Sequence, residues 1–267
     1  MLSFIRETGR CIHRQRYLIL SMARRDIAAQ YVGSSLGFVW TFIHPLVLIF
    51  VFWFVFSVGF RAKPMNNVPF VVWLTAGMAP WFLFSQIVGA SAGVVVAHAN
   101  LIKKTLFSSE ILPVVTIVSA SVTHLAFLLL LLLLLIFQHI AFSLYILQFF
   151  YYLFCLWILT LGLGWMVAAL HVFLRDVAQI VGVVLQVGFW VTPVFWDIHI
   201  MPAKVQTVLK LNPMLYIVQG YRDSFISRTG FWHHPSQTLY FWCFALVTLL
   251  LGNFIFKRLQ PQFADVL

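Results

Sequence analysis

Six long hydrophobic stretches without charge constrain this chain more than any other feature of its sequence. None of them contains Asp, Glu, Lys or Arg. They cover residues 36–60, 70–97, 111–137, 152–174, 177–196 and 239–256. A helix rises 1.5 Å per residue, so about 20 apolar residues cross a hydrocarbon core about 30 Å thick. The sequence therefore predicts an all-α membrane protein with six transmembrane helices.

Composition excludes the other fold classes. Hydrophobic residues make up 62% of the chain and charged residues only 9%, whereas a soluble domain carries about a quarter charged residues. Strands of a membrane β-barrel alternate in polarity, but residues 128–135 are eight consecutive leucines. A helix satisfies its own backbone hydrogen bonds in lipid, so it remains as the spanning element.

The distribution of basic residues predicts which side of the membrane each loop occupies. Six spans put both termini on the same side of the membrane. Of the 17 Lys and Arg residues, 11 lie in the termini or in loops on that side, and six lie in loops on the opposite side. The positive-inside rule then places both termini in the cytoplasm. The opposite orientation stays open, because the charges between residues 204 and 228 lie in a longer connection, where the rule is weaker.

The chain divides into a cytoplasmic N-terminus at 1–35, a transmembrane domain at 36–256 and a cytoplasmic tail at 257–267. Within the N-terminus, residues 11–31 predict an amphipathic helix. Its apolar face is expected to consist of Tyr17, Leu20, Ile27 and Tyr31. Two compatible roles remain for this helix: anchoring to lipid headgroups, or contact with a soluble partner.

Three connections between the spans have distinctive sequences. The short basic segment 98–110 predicts a helix parallel to the membrane, and Arg175 and Asp176 form a tight corner between spans four and five. Segment 198–230 predicts two short helices, at 205–211 and 214–225, that lie on or dip into the outer interface. Residues 142–151 are aromatic-rich and predict an interfacial lead-in to span four.

Motifs for catalysis are absent from the sequence. It contains no P-loop, no zinc-protease motif and no nucleophile-elbow motif, and its three cysteines are scattered. The ionisable residues within the spans are His44, His124 and His171, without any carboxylate. Ion-coupled transporters usually place Asp, Glu or several His residues near the midplane of the membrane. The sequence therefore predicts neither an enzyme nor a metal site, and energy for any uphill transport must come from another subunit.

Two stripes of residues at helical spacing suggest a polar and aromatic surface within the membrane. On span five the stripe consists of Gln179, Gly182, Gln186, Phe189, Pro193 and Trp196. On span one it consists of Trp40, His44, Val47, Val51 and Phe54. One interpretation is a packed seam between helices. The other is a pore lining, where amides bind hydroxyl groups and rings cover the C–H faces of sugars.

Five short segments, in order along the chain, carry a family resemblance. They are residues 25–45, with Arg25, Asp26, Tyr31, Ser34, Gly37, Trp40 and Pro45, and then residues 100–104, 173–177, 189–194 and 211–214. Together they resemble ABC exporter permeases of the type 2 polysaccharide class, and O-antigen permeases most closely. The resemblance covers nearly the whole chain.

The resemblance implies a permease in the bacterial cytoplasmic membrane that works as a homodimer with two copies of a separate ATP-binding subunit. ATP and Mg would be bound by that subunit and no cofactor by this chain. The cargo would be a polysaccharide on an undecaprenyl diphosphate carrier. Capsule or teichoic-acid polymers, or a small molecule or drug, are the alternative cargoes. A membrane enzyme or flippase acting alone is disfavoured, because the chain lacks intramembrane carboxylates.

The resemblance also implies roles for particular residues. The pathway would be lined by Trp40, His44, Phe54, Gln179, Gln186, Phe189, Trp190 and Trp196. Coupling to the ATPase would involve Arg24, Arg25, Asp26, Lys103, Lys104, Arg175 and Asp176, with 11–31 as the interface helix and 98–110 as the coupling helix. Gate helices in 198–230 would carry Asn212, Pro213, Tyr216 and Arg222. Arg24 and Arg25 are further expected to attract the diphosphate headgroup of the carrier lipid.

Overall fold

The structure is a computed structural model, and it describes residues 9–61, 68–104 and 108–267, without the side chain of Lys104. Across these residues the architecture is helical. Five helical segments are long and apolar enough to cross a membrane: Gly37–Gly59, Phe70–Ala97, Ser109–Phe137, Leu144–Phe173 and Pro235–Val266. They correspond to predicted spans one, two, three, four and six. The all-helical membrane class is thus confirmed.

Helices are numbered α1 to α11 in chain order. They are α1 Arg16–Gln30, α2 Trp40–Trp53, α3 Phe70–Ala97, α4 Ala99–Lys104, α5 Leu112–Phe137, α6 Phe149–Phe173, α7 Asp176–Val191, α8 Ala203–Leu209, α9 Pro213–Arg222, α10 Pro235–Leu259 and α11 Phe263–Val266. Short 3₁₀ or π-helical turns extend several of them. The predicted lead-in to span four contains one such turn, at Leu144–Gln148, directly before α6.

The fifth predicted span is shorter than the sequence suggested. Helix α7 ends at Val191 rather than at residue 196, so it is about 24 Å long at 1.5 Å per residue. Pro193 is the cause, because a proline disfavours helical backbone at the residue before it and cannot donate a hydrogen bond itself. Thr192 accordingly has an extended conformation, with ψ at 131°. Predicted helical spacing therefore fails beyond Val191.

Helices α3 and α6 form the centre of the bundle. More than half of the apolar window of each is buried within the chain, 56% in both cases. Helix α10 packs along α6, and their backbones come close together at Gly162 and Gly252. A side chain at Gly252 would collide with the carbonyl oxygen of Gly162. Small residues at such crossings allow close helix packing in lipid, where van der Waals contact is the main attraction.

At one end of the bundle, α1 packs beneath the membrane-spanning helices. Its buried residues are Ile19, Met22 and Ala23, which join a core cluster with the ends of α3, α5, α6 and α10. These are not the residues of the predicted apolar face. Tyr17 is 74% exposed and Leu20 51% exposed, so the predicted face stays uncovered within the chain and α1 packs through a different one.

At the opposite end, α8 and α9 follow the break after α7. Helix α8 is largely exposed, but α9 is buried against α3 and α6. The side-chain oxygen of Asn212 caps α9 by accepting a hydrogen bond from the backbone N–H of Met214, and Pro213 occupies the first turn. Helix α9 is thus enclosed by protein, which the sequence analysis did not predict, and its interfacial position stays a prediction.

Candidate functional site

The residues singled out on α2 lie on an open face of the chain. Trp40 is 45% exposed and Phe54 52% exposed, and His44 between them is also exposed. Only 11% of the apolar window of Gly37–Gly59 is buried within the chain, far less than for the central spans. Packing within one chain therefore leaves most of this helix available to another molecule.

Helix α7 presents its polar side chains to the same kind of open surface. Gln179 and Gln186 are exposed, Gly182 between them has open space above its Cα atom, and Trp190 is 55% exposed. The resulting face carries two amides and an aromatic ring without formal charge. Amides donate and accept hydrogen bonds, and rings provide rigid contact area, so this face can bind uncharged hydroxylated groups.

Phe189 and Trp196 do not belong to this open face. Phe189 turns inward, where its ring contacts those of Phe52 and Trp81. Trp196 lies beyond the end of α7, and its indole N–H donates to the carbonyl of Trp190 at 3.1 Å. The predicted stripe is therefore interrupted. Trp196 leaves it because helical periodicity stops at Val191, whereas Phe189 is still helical and packs against neighbouring helices.

Phe195 is the centre of an aromatic cluster that joins α2 to α7. Its ring centroid lies 5.0 Å from that of Phe56, in the π-helical turn after α2, and 4.9 Å from that of Trp190. It also contacts Phe52 and Phe189. The sequence analysis missed Phe195, since it lies off the helical stripe in an irregular segment. Its position two residues after Pro193 was the only sequence signal that it lies outside the regular helix.

The four predicted gate residues lie in and around α9, and all four make structural contacts. The amide nitrogen of Asn212 donates to the hydroxyl of Thr192 at 2.8 Å. Tyr216 shares hydrogen bonds with the hydroxyls of Tyr151 and Thr238, at 3.1 and 3.0 Å. Pro213 begins the helix. Together these contacts connect α9 to α6, to α10 and to the segment that follows α7.

Arg222 makes the most unusual contacts of the four. Although the sequence-based topology treats it as a loop charge, it is only 2% exposed. Its guanidinium donates to the backbone carbonyls of Pro193 at 2.8 Å and Val194 at 2.6 Å. The same group lies 3.4 Å from the ring centroid of Trp73, at the start of α3. Arg222 therefore binds two segments that are distant in sequence.

A hydrogen-bonded pair, Asp197 and His199, follows the aromatic cluster. One carboxylate oxygen of Asp197 accepts hydrogen bonds from the backbone N–H of His199 at 2.9 Å and from its ring at 2.7 Å. Partial burial acts to raise the pKa of the Asp197 carboxyl, but the hydrogen bonds from His199 outweigh it and hold that pKa below its ordinary value. This pair orders the short turn Ile198–Ile200.

The predicted coupling residues gather at the α1 end of the bundle. Arg24 and Arg25 are exposed on α1, Asp26 is half-buried, and Lys103 is exposed on α4. The Arg25 guanidinium lies 3.2 Å from the Nε2 atom of His98, which directly precedes α4. The side chain of Lys104 and residues 105–107 of the predicted coupling segment lie outside the described residues. The exposed corner with Arg175 and Asp176 follows α6, whose last residues pack in the same end cluster.

Three hydrogen bonds, one of them fully buried, escaped the sequence analysis. His124, in the middle of α5, meets the hydroxyl of Tyr221 at 3.0 Å. The amide of Gln148 donates to the carbonyl of Thr229 and accepts from the N–H of Phe231, at 2.8 and 2.9 Å. Both partners of each bond lie far apart in the sequence, so helical periodicity carries no signal for them.

A cavity of about 280 Å³ lies on another side of α7. It is lined mainly by aliphatic and aromatic residues of α3, α6, α7 and α10, among them Trp81, Leu159, Val184 and Phe244. It offers few hydrogen-bonding groups, in contrast to the face with Gln179 and Gln186. A hydrated sugar chain would lose its hydrogen bonds to water there without replacement.

Comparison with known proteins agrees with this architecture. Residues 17–226 match the family model described as ABC-2 type transporter. The chain is 28% identical to an O-antigen export system permease of Myxococcus xanthus, over 99% of both chains. It is 25% identical to an O-antigen export permease of Klebsiella pneumoniae, over 94% of this chain and 95% of the relative. It is 21% identical to a polysialic acid transport protein of Escherichia coli, over 91% of this chain and 93% of the relative.

Proposed function

The chain belongs to the ABC-2 type transporter family, and on that premise we propose that it is the membrane subunit of an ATP-driven exporter of an O-antigen-like polysaccharide. Similarity along the whole chain to O-antigen export permeases is the observation that carries the proposal. Members of the family act as permease subunits rather than as enzymes. The driving force would come from a separate ABC ATPase, where ATP and Mg would bind.

The open faces of α2 and α7 support a pathway between two copies of this chain. Each copy buries most of α3 and α6 but leaves α2 and the polar face of α7 exposed. Gln179 and Gln186 would bind sugar hydroxyls there, while Trp40, His44, Phe54 and Trp190 would provide contact surface. A lined path is needed, because each unpaired hydroxyl in hydrocarbon costs several kcal/mol. A homodimer with two ATPase copies is the proposed assembly.

The end of the bundle formed by α1, α4 and the α6–α7 corner supports an ATPase-binding surface. It carries exposed basic residues, and its helices pack on the ends of the spanning helices through a continuous core. ATP binding would thus favour one arrangement of the spans over another. In this proposed orientation both termini lie in the cytoplasm, α7 crosses the membrane as the fifth of six spans, and α9 lies at the extracytoplasmic mouth of the inner membrane.

The cargo is proposed to be linked to undecaprenyl diphosphate, with Arg24 and Arg25 attracting the diphosphate. Anionic phospholipids would attract the same arginines, because both ligands offer phosphate oxygens. Replacing both arginines by Gln should therefore weaken binding of the purified chain to vesicles that contain the lipid-linked carrier. Equal binding by the variant would remove this role while leaving the permease function intact.

Deletion of the gene tests the function directly. Loss of surface polymer with accumulation of lipid-linked polymer inside the cell is the expected result. An unchanged polymer with altered susceptibility to a small toxic compound would instead support a drug permease. Which polymer accumulates also decides between O-antigen and capsule or teichoic-acid cargoes.

Complementation with a pathway variant tests the proposed surface. Gln186→Leu removes a hydrogen-bonding amide, so surface polymer should fall roughly fivefold, the effect of one hydrogen bond of about 1 kcal/mol. Val187→Leu is the control. Val187 is an exposed neighbour of Gln186, and this substitution keeps the position apolar. Equal export by both variants would contradict a pathway along this face.

A further inference from the structure

Arg222 is a buried cation at the end of α9, and its position raises the question of what its charge does there. Its hydrogen bonds go to two neutral backbone carbonyls, those of Pro193 and Val194. Among the described residues, its Nε atom has no hydrogen-bond partner. Burying a guanidinium in this way is unfavourable unless the contacts it makes are strong, so the groups that surround Arg222 are important for its placement.

The surroundings of Arg222 are shaped to fit it. The flat face of the guanidinium covers the ring of Trp73, with the central carbon 3.4 Å from the ring centroid. A Cβ atom at Gly77 would lie 2.6 Å from the terminal nitrogen of Arg222 and 2.7 Å from the carbonyl oxygen of Val194. The absence of a side chain at Gly77 therefore leaves room for the hydrogen bond between them.

The bound carbonyls lie directly before Phe195, the residue whose ring joins α2 to α7. Phe195 contacts Phe52 and Phe56 on one side and Phe189 and Trp190 on the other. Thr192, the first residue of this segment, is held independently by Asn212. The start of the irregular segment after α7 is thus attached to both ends of α9, to Asn212 before its first turn and to Arg222 in its last turn.

We propose that Arg222 is a positioning residue that holds the backbone of residues 193–194 and thereby sets where Phe195 lies between α2 and α7. Movement of α9 then changes the spacing of the two helices that carry the exposed faces. The consequence for transport rests on the proposed function, whereas the attachment itself does not.

Arginine suits this task better than lysine. A planar guanidinium donates to two neighbouring carbonyls from fixed directions while its face stacks on an aromatic ring. An ammonium group is a compact charge on a flexible stem, and it cannot keep both carbonyls and the ring in contact at once. Arg222→Lys should therefore keep the charge but hold the segment less firmly than Arg222 does.

Water access at Val194 measures the attachment. Val194 is fully buried, so a Val194→Cys reporter should react slowly with N-ethylmaleimide in membranes. Half-buried Cys11 and exposed Cys243 are first replaced by Ser, while buried Cys155 is kept as an internal control of folding. Arg222→Gln should raise the labelling rate at position 194 by roughly tenfold, because charge-assisted hydrogen bonds are lost. Arg222→Lys should give an intermediate rate.

Gly77→Ala provides a second variant that keeps the arginine. Its methyl group would come between the guanidinium and the Val194 carbonyl, so labelling at position 194 should also rise while Cys155 stays unlabelled. Unchanged labelling at position 194 in whichever of the two variants folds would overturn the proposal. Labelling of Cys155 together with position 194 in both variants would overturn it too, by assigning Arg222 to the stability of the whole bundle.

The transport readout is kept separate from the labelling. In cells, Arg222→Gln at normal protein levels should lower surface polymer at least about fivefold, and Arg222→Lys should restore part of it. If deletion of the gene leaves the polymer unchanged, the proposed function fails but the labelling result stands. If labelling changes without any change in export, the attachment exists and its role in transport is refuted.

Discussion

At the scale of single residues, buried hydrogen bonds between polar side chains tie the helices of this chain together. His124 and Tyr221 form such a bond between α5 and α9, and both side chains are almost completely buried. An unpaired polar group in this environment loses its hydrogen bonds to water without replacement. Removing one member of the pair is therefore destabilising mainly because it leaves the other buried without a hydrogen-bond partner.

We expect Tyr221→Phe to lower the free energy of unfolding by about 1–3 kcal/mol, because it leaves a nitrogen of His124 buried without its partner. Thermal unfolding in detergent measures the effect. The double variant with His124→Leu should cost less than the sum of the two single changes. Tyr240→Phe is the control, since Tyr240 donates to the Leu211 carbonyl near the surface, where water replaces the bond. Additive effects in the double variant would contradict the pairing.

At the scale of elements, α1 shows how neighbours decide which face of a helix is buried. Ile19, Met22 and Ala23 lie at spacings of three and four, so they form one face, and that face packs on the ends of α3, α5 and α6. The exposed opposite side carries Arg24. Helix α1 is thus attached to the bundle through small and aliphatic side chains, while its charges remain available.

Ala23→Gln should detach α1 from the bundle, because Ala23 is 2% exposed and has no room for a longer polar side chain. Overpacking and an unpaired amide together should cost about 2–3 kcal/mol of stability and reduce polymer export. Ala28→Gln makes the same change at an exposed position of the same helix and should be nearly neutral. Thermal unfolding and surface polymer are the measurements, and equal behaviour of the two variants would refute the attachment.

At the scale of the whole molecule, the two ends of the bundle differ in character. At one end, α1, α4 and α11 pack beneath the spans through a few apolar side chains each and expose basic side chains. The other end encloses α9 and concentrates the aromatic rings around Phe195. Between the ends, α2 and one face of α7 remain open in a single chain. This division is what a subunit needs if it binds an ATPase at one end and a second copy along its side.

Cross-linking tests the proposed contact between copies. Gly182 lies on the open face of α7, and nothing lies within 4 Å of a side chain placed there. Gly182→Cys, with Cys11 and Cys243 replaced by Ser, should form a dimer on mild oxidation of membranes. Val181→Cys is the control. Val181 is buried against its own chain, so the Val181→Cys protein should stay monomeric. A monomeric Gly182→Cys protein would argue against α7 as the dimer interface.

The sequence alone determined the helical membrane class, the positions of most spans and the candidate residues on α2 and α7. Uninterrupted apolar stretches about 20 residues long leave a chain few alternatives, because unpaired backbone groups are so unfavourable in lipid. It placed the end of span five at residue 196, five residues beyond the observed end of α7 at Val191.

Only the tertiary structure decided which faces are buried and which polar residues meet. The buried face of α1, the inward turn of Phe189, the burial of Arg222 and the central position of Phe195 all depend on helices far apart in the sequence. Helical periodicity shows which residues share a face, but in a chain this apolar most faces are hydrophobic. What covers each face is then set by packing, which no local pattern records.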